Sequence, residues 1–327
     1  MAFDKSVVVP LDLDATFELI TQPERLRRWQ TVAARVDLRA GGDYRWTVVP
    51  GHSASGTFVE VVSGQRVVFT WGWEEGSDLL PGASTVTVTL SPTVGGTEVR
   101  LVHEGLTSTQ AASHAEGWNH YLDRLVRAAT SGDAGPDDWA AIPDPIDELS
   151  SAEATLAVVQ DVLRGISDDD LQTQTPCTEF TVAQLAEHLL GSIVSIGKGA
   201  GATIDADASG SLESRIAGAA QIALEQWRRR GIEGTVPLGP GGIPASVAVS
   251  ILSIEFLVHA WDFAIATGQE VVVSEPLATY VLGLAAKVIS PETRGGAGFA
   301  DEVAVAETAS SLERLAAFTG RRPLTSV

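Results

Sequence analysis

A chain of 327 residues with 44% hydrophobic and 20% charged side chains has apolar content enough for two buried cores, which excludes a disordered or fibrous protein. The net charge of −20 is concentrated late: residues 1–130 carry 11 basic and 15 acidic side chains, residues 131–327 carry 11 and 27. So acidic a second half repels phosphate backbones and anionic lipid, which argues against nucleic acid and membrane surfaces as partners.

Residues 1–130 alternate with a period of two. Residues 44–48, 57–62, 67–73, 85–90 and 97–102 read as antiparallel strands. Gly41-Gly42, Ser63-Gly64, Pro81-Gly82 and Gly95-Gly96 supply the turns. A short helix is expected to start near Asp14, and a longer one to run over 110–129 with Trp118, Leu122 and Leu125 along one side. This order predicts an α+β domain in which the long C-terminal helix lies across a curved antiparallel sheet.

A Pro/Gly/Asp stretch over 131–146 reads as a linker, after which the apolar period becomes 3.6. Ser150-x-x-Glu153 and Thr181-x-x-Gln184 predict capping boxes for helices ending near Arg164 and Lys198. Further helices are expected over 212–230, 245–267 (closed by Gly268), 276–289 and 311–319. Four main helices over 147–327 make an all-α bundle, a fold that places ligands on facing helices. The run 245–266 approaches membrane-spanning length, but Glu255, His259 and Asp262 interrupt it, so it reads as a buried core helix. Arg228-Arg229-Arg230 is the one basic cluster and suits a helix C-terminus. The lone cysteine, Cys177, fits a reducing cytoplasm and reads as a packed or capping residue. The opening residues lack the charged and apolar regions of a signal peptide, so a cytoplasmic location is expected.

The chemistry is expected on the apolar helix. Glu255 and His259 lie four residues apart and project from one face. That spacing also serves ordinary ion pairs, but a buried carboxylate is costly without a partner, and a metal ion is one that stabilises it. His188 is a third candidate, and His188 and His259 are the only histidines after residue 130. Two histidines and one carboxylate leave a coordination position open, as catalytic zinc sites do. Nickel and iron accept the same donors.

Two resemblances follow from longer motifs. Residues 9–17, 21–26, Trp29, 56–62, His103-Glu-Gly and 117–125 resemble the SRPBCC (START-like) superfamily in its Aha-type branch. That likeness implies a helix-grip fold over residues 1–130, with an apolar cavity that Trp46, Phe58, Trp71, Trp73 and Trp118 would line. Within it, Trp71 and Trp73 are candidate substrate contacts. Residues 175–191, 255–268 and 312–323 resemble a DinB-like metal-binding family of actinobacteria that includes the N-terminal domain of mycothiol-dependent maleylpyruvate isomerase. Its His, Glu and His ligands fall on His188, Glu255 and His259. The isomerase continues into a further C-terminal domain, whereas here the SRPBCC-like domain stands in front, so the likeness implies the metal site and not maleylpyruvate isomerisation.

The expectation is therefore an enzyme that binds a divalent metal and uses mycothiol or a similar thiol for S-transfer to, or isomerisation of, a small electrophile. The competing expectation is a non-catalytic regulatory protein that binds metal and holds a small apolar ligand in the SRPBCC cavity. Chaperone interaction is the least supported partner. Asp262 is expected either to orient a ligand or to pair with an arginine, and Arg294 is a candidate contact for an anionic substrate.

Overall fold

The computed structural model describes residues 2–205, 209–239, 241–291, 294 and 299–322. By contacts between its residues the chain divides into Met1–Asp137 (unit 1) and Asp138–Val327 (unit 2).

Unit 1 is built on a seven-stranded antiparallel sheet: β1 (Phe3–Val9), β2 (Ala33–Val36), β3 (Asp43–Val49), β4 (His52–Val62), β5 (Arg66–Trp71), β6 (Ser84–Thr93) and β7 (Gly96–Glu104). The strand order is β1-β7-β6-β5-β4-β3-β2. α1 (Leu13–Thr21) and the short α2 (Pro23–Leu26) follow β1, and α3 (Ser108–Ser131) closes the unit. The alternation along β6 buries Ser84, Val86, Val88 and Leu90 on the same face, against which Trp118, Leu122 and Leu125 of α3 are buried. Register shifts in β3 at Thr47/Val49 and in β4 at Phe58/Glu60 bend those strands, as an extra residue in a ladder does.

One expected strand is shorter than its pattern. β5 stops at Trp71, and Trp73 pairs with Ala54 as an isolated bridge. Gly72 explains the break, because a Cβ there would lie 1.9 Å from the Leu80 carbonyl oxygen. The 79–81 segment crosses the strand at that point, and Trp73 N–H donates to Leu79 O at 2.8 Å. The interior is filled by rings: Trp46, Phe69, Trp71 and Trp118 contact one another at centroid separations of 5.2–6.5 Å. One void, lined by Trp29, Trp46, Phe69 and Trp118 among others, holds about 20 Å³, the room of roughly one water. Trp71 and Trp73 are not among its lining residues.

His103 is enclosed by this aromatic group. Its Nδ1 accepts from Trp118 Nε1–H at 3.0 Å, so the proton of the neutral ring sits on Nε2, 2.8 Å from Ser84 Oγ. Burial, then the neighbouring His114, pushes its pKa from 6.5 down to about 3.

Unit 1 also runs beyond the expected boundary at residue 130. α3 ends in Gly132, and residues 133–137 turn back onto it. Arg124, 5% exposed, donates to the carbonyls of Trp29, Gly135 and Pro136 at 2.7–3.0 Å. Asp137 accepts from His120 Nε2 at 2.9 Å. The first part of the expected linker is therefore folded onto unit 1.

In unit 2, α4 (Glu148–Arg164), α5 (Val182–Gly199), α6 (Leu212–Arg230) and α7 (Ala245–Thr267) are the long helices, with α8 (Glu275–Val288) and α9 (Ser311–Phe318) after them. α4 packs on α7 and α6, and α5 packs on α6 and α7. A two-stranded ribbon, β8 (Thr235–Val236) with β9 (Ile243–Pro244), leads into α7. The box Thr181/Gln184 caps α5 as its sequence indicates, whereas α4 begins earlier than its pattern. There the cap is Asp147 with Ser150 as its reciprocal partner, because an aspartate three residues upstream satisfies the first amides before Ser150 does. α7 is apolar on every side, and 83% of its most apolar stretch is buried, as expected of an interior helix. The basic cluster is used locally: Arg228 pairs in a bidentate manner with the buried Glu153, Arg229 pairs with Glu225, and Arg230 donates to three carbonyls and lies over Trp227.

Two outcomes are expected. A fragment ending at residue 130 strips Arg124 of two carbonyl acceptors and should be less stable than one ending at 137 by roughly 2 kcal/mol in urea unfolding. His103, with its folded pKa below the unfolded one, contributes fully above pH 6.5 and loses that contribution as acid protonates the unfolded chain first. Unit 1 should lose about 1.4 kcal/mol per pH unit between pH 6.5 and 3 on this account, and His103→Gln should flatten that slope.

Candidate metal centre

α5 starts from a stapled loop. Thr175 Oγ1 donates to Phe180 O at 2.8 Å, Gln174 Nε2 donates to the same carbonyl at 2.9 Å, and Gln174 and Thr181 form an isolated bridge. Phe180, just before the Thr181 cap, is thereby fixed and stacks on His188 two turns into the helix, at 5.1 Å and 24°. α7 passes α5 with Glu255 and His259 on the facing side.

The three side chains meet. Glu255 Oε2 lies 3.5 Å from His188 Nε2 and 3.5 Å from His259 Nε2, and one donor atom from each residue falls within 4.8 Å of the others. The two rings are perpendicular, 5.4 Å apart. Side-chain exposure falls from 39% at His188 to 13% at Glu255 and 4% at His259, so the group opens to solvent on the His188 side. At 3.5 Å neither nitrogen is a good hydrogen-bond partner, and Glu255 Oε2 is buried with no hydrogen bond. Burial opposes its charge, yet the two imidazoles hold its carboxyl well below the usual carboxylate range. His259 moves the other way: burial disfavours its cation, but Asp262 and Glu255 push its pKa up to about 8.

Behind His259, Asp262 is 0% exposed, and its Oδ2 accepts from His259 Nδ1–H at 2.9 Å. This leaves His259 Nε2 facing Glu255 and His188. The same oxygen faces Arg321 Nη2 and Nε at 3.3 and 3.4 Å. Asp262 thus makes both of the contacts expected as alternatives. Cys177 is half-buried, and burial pushes its thiol pKa up, which disfavours a thiolate nucleophile. Arg294 donates to Ala300 O at 2.6 Å and lies over the Phe318 ring at 4.9 Å. The glycine-rich segment around Gly298 lies outside the described residues. The structure brings His188, Glu255 and His259 together. It places Trp71 in the core of unit 1, and Trp73 half-buried with its Nε1–H donating to His114 Nε2 at 3.3 Å. Phe180 and Arg321 are the members of the site that spacing did not single out.

The donor set fits a divalent ion on its own chemistry. Two imidazoles and a carboxylate suit zinc, and ligands about 2.1 Å from a tetrahedral ion lie about 3.4 Å from each other, close to the 3.5 Å between Glu255 Oε2 and each imidazole Nε2.

Residues 11–130 match the family described as Activator of Hsp90 ATPase homolog 1-like protein. An uncharacterized protein of Mycobacterium tuberculosis, Rv0738, is 33% identical over 181 residues, covering 54% of this chain and 98% of that protein. That stretch is longer than unit 1, so the similarity reaches into unit 2. Among solved structures, an AHSA1-like protein from Rhizobium etli is 37% identical, with 42% of this chain and 88% of that one covered at a TM-score of 0.36. DynU16, from the dynemicin biosynthetic locus, is 21% identical at a TM-score of 0.39, and the alignment covers 43% of this chain and about half (51%) of that one.

The burial of Asp262 and Arg321 sets an expected outcome. Asp262→Asn leaves Arg321 buried beside a neutral amide and should destabilise unit 2 by about 3 kcal/mol. Glu187→Gln, at the exposed end of the Arg215 pair, should cost under about 1 kcal/mol. Denaturant unfolding of the two variants checks the contrast.

Proposed function

The chain belongs to the same family as the mycobacterial protein Rv0738 and carries an AHSA1-like domain over residues 11–130; from that premise we propose that it is a metal-dependent enzyme. It would use a low-molecular-weight, mycothiol-like thiol for S-transfer to, or isomerisation of, a small electrophile. In this reading unit 2 is a DinB-like helical bundle, with His188, Glu255 and His259 holding one divalent metal, zinc in first place and nickel or iron next. The observation that carries it is Glu255 Oε2, a buried carboxylate oxygen with no hydrogen bond and an imidazole nitrogen at 3.5 Å on either side.

When bound, a divalent ion supplies Lewis acidity and lowers the pKa of a thiol or water at its open position. The chain's own residues account for the rest. Asp262 holds the proton on His259 Nδ1, so that Nε2 is the nitrogen that would ligate a bound ion. Phe180 fixes the plane of His188 and screens one of its faces. The exposure of His188 gives a small co-substrate a way in. The apolar-carrier alternative would place its ligand in unit 1, where the void beside Trp29, Trp46 and Trp118 has room for roughly one water.

The test is metal content and turnover on the full chain. Purified protein should bind one Zn²⁺ per chain, and His188→Ala, Glu255→Ala and His259→Ala should each weaken binding sharply while unit 1 stays folded. Thiol conjugation to a panel of electrophiles should be fast for metal-loaded protein and lost in apoprotein and in the His259 variant. Equal rates in all three would remove the enzymatic reading. Failure of the chain to bind Zn²⁺, Ni²⁺ or Fe²⁺ would remove the metal as well.

A further inference from the structure

Arg321 lies outside the donor set but is connected to it through one atom. α9 ends in two crossed backbone hydrogen bonds, Gly320 N–H to Ala317 O at 3.0 Å and Arg321 N–H to Ala316 O at 2.9 Å. That closure needs a left-handed residue just after the helix, which Gly320 supplies at φ +83°. A Cβ at Gly320 would also lie 2.6 Å from the Ala300 Cβ. The turn sends Arg321 back into the protein, where it is 6% exposed. There Nη1 donates to Thr319 O at 3.0 Å, the guanidinium lies 5.8 Å from the centre of the Phe299 ring, and Nε and Nη2 face Asp262 Oδ2. Asp262 Oδ1 is buried and has no hydrogen bond. The Asp262 carboxylate is therefore held through a single oxygen, by His259 on one side and Arg321 on the other.

We propose that Arg321 is a positioning residue for the metal centre: it fixes Asp262 against His259 Nδ1, so that Nε2 is presented to the ion, and so couples docking of α9 to metal occupancy. This inference rests on the metal-site reading above. Its physical basis is that a carboxylate behind a ligating histidine sets the ring's orientation, and that carboxylate must itself be held. Coupling of this kind is reciprocal, so the metal tightens α9 as much as α9 tightens the metal.

The experiment measures Zn²⁺ affinity of the full chain by competition with a chromophoric chelator, for wild type, Arg321→Gln, Arg321→Lys and Arg322→Gln. Amide hydrogen exchange of α9 is followed with and without Zn²⁺. Arg321→Gln should weaken binding by about tenfold or more, and Arg321→Lys, which retains the charge but not the fork, should recover part of that loss. The exposed neighbour Arg322 should bind as wild type when changed. Zn²⁺ should slow exchange in α9 of wild type and not of Arg321→Gln. A glutamine variant with wild-type affinity, or α9 exchange indifferent to Zn²⁺ in wild type, overturns the inference and leaves the metal site standing. A wild-type chain that does not bind Zn²⁺ removes the site and the inference with it. Should the glutamine variant fail to fold, the lysine variant decides, and wild-type affinity there counts against the proposal.

Discussion

A carboxylate placed in the middle of an apolar helix is the constraint around which unit 2 is organised. α7 is interior, and little water reaches Glu255 to solvate its charge. Leaving such a group unpaired costs several kcal/mol, so its surroundings must supply positive charge or proton donors. They come from different elements: His188 from α5, His259 one turn along α7, and, one step further back, Arg321 from the turn after α9. Removing His188 or His259 takes away one of the two imidazoles beside Glu255, and removing Arg321 takes away one of the two groups that face Asp262. The packing of three helices is thus tied to one electrostatic requirement.

Unit 1 meets a different constraint. Its interior is occupied by aromatic rings in contact at 5–6 Å; Trp73 and Trp118 direct their N–H groups at histidine nitrogens, while those of Trp46 and Trp71 are buried with no hydrogen-bond partner. Trp118 Nε1–H and Ser84 Oγ fix His103 as a neutral tautomer, and Trp73 Nε1–H does the same for His114. These histidines are satisfied and have no donor left for chemistry. The contrast with unit 2 is physical: the ring nitrogens of His103 and His114 each have a partner at hydrogen-bond distance, and at Glu255 Oε2 the distances are too long for one.

Much of this was legible from residues that act locally. Thr181 and Gln184 announce the start of α5, and the bounds of α6 and α7 follow the apolar period and the glycines after them. The Glu255–His259 pair is legible because helical spacing alone puts both on one face. His188 is different. Its place opposite Glu255 depends on how α5 lies against α7, and no local spacing encodes that; the longer family motif supplied it. Arg321 and Phe180 act through contacts reached across the fold or through a loop, so their roles were invisible. Ser150 misled because a stronger cap, Asp147, stands just before it. Trp73 followed the strand pattern, but the neighbouring backbone at Leu80 displaces it.

The central claim is that His188, Glu255 and His259 bind one ion, and X-ray absorption spectroscopy of the Zn²⁺-loaded chain tests it most directly. The account predicts a low-coordinate shell of nitrogen and oxygen at about 2.0–2.2 Å, with the outer scattering of two imidazole rings. A sulfur at about 2.3 Å would show that Cys177 coordinates instead. A shell of oxygen alone would mean that the metal sits on the acidic surface. Either result would contradict the account.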